Sequence, residues 1–590
     1  MNFISKIAAA TLFHLPAFVS LASAAPGVFE GIPETREIED VARYRSARVE
    51  AVIREITRTK PDTYIDSTNG GTPILALAFL ASGKSVDEVN RVILDPRTRV
   101  FSNSGTSFDS LGPICRRRGD YDFTLRGWIP VIYRYWDQPH LLTPAARSKI
   151  LHTLLNERGS AIALRRRICG LPIPESENHI LMTEGSRYLT NQLLNRERRE
   201  LGQPENPAWN NTRNGMRAFF VRHLQELREQ DFSEYNSVPY QHYTTLGILN
   251  LVDYAEDTDV RDEARALMDL LDRKFALMSI DLMRYAPFRR REEYRERDEM
   301  IEADGEATRF LALIGHSGSL ARLNVPYSPR GGYDAMLQFG LSSYNVAERL
   351  LPYFLLHANP DSRTAVLTRW KARAAEITYK EPRFLINAGG THYIYHALLT
   401  HEDGLVVPTT LIPRDGPIRI SRLLRFLGGN NHRSTNNTCV AEQFLCGVNL
   451  RWPEGHAESC LRREGQWVFI DASHSSACAS LRWGTYIAVY QNYCRDRACA
   501  GTASNWGFAH VVSQEEASSF LEFSDRILRT NGSKTYYPSR IDSFTRYDGS
   551  TVRFRALSPD ERESLIYESK GVTVPRWTTW PHVQQIDSHR

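Results

Sequence analysis

One change of texture near Lys380 constrains this chain more than any other feature. From about residue 35 to 380 the apolar residues recur at steps of three, four and seven, and after Lys380 they fall into short β-branched and aromatic runs. In DVRDEARALMDLLDRKFALM, Val260, Ala264, Leu267, Leu271 and Met278 mark one buried helix face. Ser85 with Glu88 forms a capping box ahead of SVDEVNRVILD, and Thr143-Pro144 pairs an N-cap with a first-turn proline. Further helices are expected around 36–57, 123–136, 178–195, 213–229, 240–255, 333–357 and 361–377. Later, GLVVPTTLI, WVFIDAS, GTYIAVYQ and STVRFRAL are expected strands of a mostly antiparallel sheet, interrupted by one helix near Gln514 to Arg529. Helices first and strands afterwards imply a multidomain α+β chain and not an alternating α/β fold.

Composition narrows the class. With 42% hydrophobic and 10% aromatic residues over 590 positions, the chain has too much buriable surface for a solvated coil. A formal charge of +4 is too mild to demand nucleic acid as a partner. Lys6 precedes an apolar run from Ile7 to Ala22 with a small-x-small site at Ala22-Ser23-Ala24, so residues 1–24 are expected to be a signal peptide. No membrane span is expected after its removal. The eight cysteines fit export: Cys115 and Cys169 are expected to pair early, and the six between Cys439 and Cys499 to pair among themselves. Fifteen connectivities are open to those six.

Several chemistries lack their residues. There is no GxGxxG after a strand, no GxxxxGK[ST], no CxxC pair and no HExxH helix, so no organic cofactor and no metal is expected. GHSGS at 315–319 puts Ser319 where a nucleophile elbow needs its second glycine, and it is expected to be a loop. The run from Arg284 to Arg295 carries five arginines interleaved with Glu, the pattern of an ion-paired surface or of a rim facing anionic sugar.

Two segments carry candidate chemistry. In PESENHILMTEGSRYLTNQLL a helix is expected to start near Glu177 or Asn178, and His179, Thr183, Ser186 and Arg187 then share one face. In SEYNSVPYQHYTTLGILNLVDYAED, Tyr240, His242 and Tyr243 start another helix, with Glu234, Tyr235 and Asn236 in the loop before it. Polar residues at helix starts commonly cap, which explains the same side chains without function. Trp128, Tyr133, Tyr135 and Trp136 suit either sugar stacking or core packing. Taken as a site, these groups suit β-elimination on a uronic-acid glycan: Asn178 and Arg187 neutralise the carboxylate, His179 or Tyr240 removes the C5 proton, and Tyr240 protonates the leaving oxygen. Glu177, Glu234, Asn236, His242 and Trp128 are expected to contact substrate.

A signal peptide, a many-helix region and a late β region resemble the toroid-plus-sandwich polysaccharide lyases of the alginate, chondroitin and heparinase type. Asn178-His179 resembles their Asn-His pair and Tyr240 is similar to their helix-start tyrosine, while Glu177 stands where the alginate-lyase pattern often has another Asn. The resemblance implies an N-terminal (α/α) toroid over 25–382, an antiparallel β-sandwich over 383–560, and an irregular tail over 561–590. It implies an extracytoplasmic enzyme whose partner is an acidic polysaccharide or oligosaccharide. Two rivals stand beside it: a glycoside hydrolase using Glu177 and Glu234 as paired carboxylates, and a non-catalytic secreted glycan-binding protein.

Overall fold

The computed structural model describes residues 29–587 except 30, 34, 66–69, 101–121, 162–164, 169–170, 175, 231, 233–239, 281, 285–304, 316–332, 356–364, 372–373, 390–408, 414–423, 428–438, 452–457, 476–483, 494–504, 538–539, 557–564 and 574–582. It is a mixed α+β protein whose C-terminal part is rich in antiparallel sheet.

Helices dominate the first part. They are α1 (Ile38–Arg43), α2 (Arg45–Ile56), α3 (Gly71–Ser82), α4 (Val86–Leu94), α5 (Asp122–Tyr135), α6 (Pro144–Lys149) and α7 (Glu177–Glu200). There follow α8 (Met216–Gln230), α9 (Gln241–Tyr254), α10 (Thr258–Met278), α11 (Gly305–Leu313), α12 (Tyr333–Leu341) and α13 (Leu351–Phe354), and α14 (Phe520–Asn531) lies among the later strands. Thr143 caps α6 as its sequence suggests, its Oγ1 accepting from the Ala146 N–H at 3.3 Å. The Ser85 capping box does not form: Ser85 sits in the left-handed region (φ 47°), and its side chain makes no cap bond. The α10 face of Val260, Ala264, Leu267, Leu271 and Met278 is buried as expected. α7 is central, buried nearly all round from Asn178 to Asn195, and packs on α5 and α9.

Residues 361–377, expected as a helix, instead contribute two strands, Ala365–Lys371 and Ala374–Glu381. Ladder partners on both sides outweigh the helical pattern there: Ala365–Lys371 pairs with Ala374–Glu381 on one edge and with Val583–Asp587 on the other. The stretch from 561, expected as an irregular tail, likewise holds the strands Leu565–Ser569, Val572–Thr573 and Val583–Asp587. Among the described residues the main sheet has 12 antiparallel strands, running spatially from Leu461–Glu464 through Asn505–Ser513 and Phe384–Gly389 to Val583–Asp587.

Period-two alternation buries both faces of this sheet. Phe444, Trp467 and Phe508 face a four-stranded sheet that begins at Asp542–Thr545, with Phe444 4.7 Å from Phe554 and Phe508 5.3 Å from Phe544 between ring centroids. Leu445, Ile470, Ile487 and Val511 point the other way, into a separate apolar cluster with Ile377 and Ile386. A disulfide joins Cys439 to Cys446, both from the late group, and Cys460 is disulfide-bonded as well. Cys115 and Cys169 lie outside the described residues.

Lys380 ties the sheet to the helices. Its buried ammonium donates to Ala276 O at 2.7 Å, Ser279 O at 2.6 Å and Tyr353 O at 2.9 Å. The first two are at the C-terminal end of α10, where unpaired carbonyls and the helix dipole favour a cation. Among the described residues, no helix is long and apolar enough to cross a membrane.

Candidate functional site

The starts of α5, α7 and α9 come together. His179, in the first turn of α7, is 6% exposed, and its Nδ1 meets the Asp122 carboxylate at the start of α5, which is fully buried. A carboxylate only accepts, so Nδ1 carries a proton, and when the imidazole is neutral its lone pair is on Nε2. The Phe123 ring lies 6.1 Å from His179 and 4.5 Å from Tyr243, which in turn lies 3.7 Å from His242. Three helices therefore present an acid–imidazole pair beside an aromatic wall.

Asn178 is 2% exposed. Ser176, at the N-cap of α7, does not cap the helix through its side chain; its hydroxyl donates to Asn178 Oδ1 instead. That bond fixes the carboxamide, and its Nδ2 has no hydrogen-bond partner. A buried amide donor left unpaired costs about 1–3 kcal/mol, so something at this position has to repay it. Thr183 Oγ1, one turn along, is also buried and unpartnered.

Other expected site residues distribute differently. Tyr240 is the N-cap of α9 and half-buried, three residues before Tyr243. His242 is buried. Glu177 is half-buried and faces α8, where its charge opposes the fall in the His223 pKa that burial causes. Glu234 and Asn236 lie outside the described residues, as do Ser319 of the GHSGS segment and the arginine-rich run beyond Arg284.

Two assignments need correcting. Arg187 is eight residues beyond His179, about 12 Å along α7, and its guanidinium is already engaged. Nε donates to Glu184 at 2.9 Å, Nη1 to Arg158 O at 2.9 Å, and Nη2 to Glu157. Each of its three nitrogens already has an acceptor within the protein. Trp128 is fully buried in the helical core, which leaves no ring face for a sugar.

Sequence reasoning missed Asp122, Phe123 and Arg126. Arg126 is 1% exposed, donates from Nη2 to Asp334 of α12 at 2.9 Å, and lies 5.5 Å from the Tyr243 ring centroid. The available signal was the D-x-x-x-R spacing at the start of α5, which puts both side chains on one helix face. Among the described residues no group of acidic, His and Cys side chains has metal-binding geometry.

No protein-family model, curated protein or solved structure matches the chain.

Proposed function

We propose that this chain is an exported polysaccharide lyase that cleaves an acidic glycan by β-elimination, with its helices arranged as a toroid and its sheets as a sandwich beside it. One observation carries the reading: the buried His179–Asp122 pair lies next to the fixed, unpartnered Asn178 amide at the start of α7. His179 Nε2 takes the C5 proton of a uronate residue, and the C5–H electron pair forms the C4–C5 double bond as the C4–O glycosidic bond breaks. Tyr240, from the start of α9, supplies the proton to the leaving oxygen. Asn178 Nδ2 donates to the substrate carboxylate as negative charge develops on it, the charge-stabilising role that raises turnover and not merely binding. Asp122 stabilises the imidazolium that results.

The test is product analysis on a panel of acidic and neutral glycans. Elimination leaves an unsaturated, ultraviolet-absorbing sugar at the new non-reducing end, and hydrolysis does not. His179→Ala and Tyr240→Phe should each remove most of the unsaturated product, by roughly 10²–10⁴-fold, without loss of fold. Hydrated ends that persist in both variants and vanish in Glu177→Gln or Glu234→Gln would assign the chain to the hydrolases. Glycan binding without any product would assign it to the non-catalytic binders.

A further inference from the structure

The buried arginines of the helical region differ in one respect. Arg48 donates to Ala312 O, Leu313 O, Val41 O and Thr35, Arg187 is fully engaged as described, and Arg309 is held by Glu306 and Asp272. In each, every guanidinium nitrogen has an acceptor. Arg126 has one: Asp334 takes Nη2, while Nε and Nη1 are buried without a partner. A guanidinium offers two edges of paired N–H donors, and a single contact at Nη2 leaves one of them complete. On α12, one turn after Asp334, Gln338 is 4% exposed and has neither its Oε1 nor its Nε2 paired. Positions four apart lie on one helix face, so Gln338 shares the face of α12 from which Asp334 meets Arg126. Unpaired buried polar groups are rare in folded proteins, and here a charged one and an amide occur together.

We propose that Arg126 and Gln338, with Asp334 as the fixed counter-ion, form a binding subsite for a carboxylate group. A carboxylate matches the open edge with two parallel hydrogen bonds, which a sugar hydroxyl or one water does not. Its second oxygen lone pairs accept from the Gln338 amide. The Tyr243 ring lies beside the guanidinium, 5.5 Å from its centre, and helps to hold its plane. That the carboxylate belongs to a uronate sugar rests on the lyase reading; carboxylate recognition does not. Because these atoms are closed to solvent, occupancy requires local opening, whose free energy lowers the apparent affinity.

The experiment titrates the full chain with glucuronate and, separately, with glucose, followed by calorimetry and melting temperature. Wild type should bind glucuronate and not glucose. Arg126→Gln should weaken glucuronate binding about 10- to 100-fold, the loss expected for a charged hydrogen-bonded contact. That variant also leaves Asp334 buried without its cation, so a second one is needed. Gln338→Glu keeps the side-chain shape and places a carboxylate on the face of α12 that meets Arg126. It should abolish glucuronate binding while the melting temperature holds or rises. Equal binding of glucose, no binding of either sugar, or glucuronate binding unchanged in Gln338→Glu would each overturn the subsite. Failure of the lyase reading looks different: glucuronate still binds in an Arg126-dependent way, and no glycan yields an unsaturated end.

Discussion

At the scale of the residue, the Asp122–His179 pair carries the largest expected effect. Asp122→Asn keeps the volume but replaces an acceptor by a group able to donate to Nδ1, which would turn the lone pair away from Nε2. On the proposed lyase reading, activity should fall roughly 10²–10⁴-fold with far-UV dichroism unchanged. The double variant with His179→Ala should be little worse than His179→Ala alone, because the two groups act as one unit. Steady-state rates on the best glycan check both, and full activity in Asp122→Asn removes this residue from the mechanism. Asn178 and His179 were legible because they are adjacent in one helix start. Asp122 was not, since it is 57 positions away and meets His179 only through folding. Arg126 and Arg187 are alike in sequence, each a basic residue on a helix; only their neighbours in space show that every nitrogen of Arg187 has an acceptor and two of Arg126 do not.

At the scale of the element, the α7–α9 crossing sets how His179 stands against the start of α9. A Cβ on Gly247 of α9 would lie 3.2 Å from the carbonyl carbon and 3.2 Å from the Cβ of Leu181, whereas one on Gly185 of α7 would find only Gly247 O at 3.9 Å. Gly247→Ala therefore forces the helices apart. The overpacking penalty of about 1–3 kcal/mol should exceed the gain in helix propensity of up to about 1 kcal/mol. Gly185→Ala keeps that gain without the clash and should be neutral or stabilising. Chemical denaturation of both variants tests the pair, and equal effects would show that the crossing is not what Gly247 serves. Neither glycine announces this in sequence. The same holds for Ala365–Lys371, where a helix-compatible run becomes a strand because partners from residues 374–381 and 583–587 supply its hydrogen bonds. Long strands such as Thr485–Tyr493 were legible, because their alternation repeats over enough residues to exclude a helix.

At the scale of the whole molecule, the α+β order could be read directly, since it needs only local pattern. Closure of the main sheet by the last strand could not, since pairing across more than 200 positions leaves no local trace. Inside that sheet, Gln443 joins two titrating groups with opposite effects on stability. Its Nε2 donates to Glu381 at 3.1 Å and to Glu516 at 3.0 Å, and its backbone carbonyl accepts from His510 Nδ1 at 3.2 Å. His510 Nε2 accepts from the Tyr547 N–H at 3.1 Å, so both ring nitrogens are satisfied only in the neutral form. Burial first, and then Arg546, lowers the His510 pKa to about 3. Burial first, and then Glu516, raises the Glu381 carboxyl to about 7. For Glu381 the folded chain holds its proton longer than the unfolded one, so this stability is present at acid pH and is lost as pH rises from about 4.5 to about 7. For His510 the unfolded chain binds the proton first, so stability is lost as pH falls below about 6.5. The two trends oppose each other between about 4.5 and 6.5. Melting curves against pH for wild type, Glu381→Gln and His510→Gln separate them. Relative to wild type, Glu381→Gln should gain stability as pH rises toward 7, and His510→Gln should gain it as pH falls toward 4.5. Difference curves that stay flat across this window would show that neither group titrates in the fold as its surroundings require.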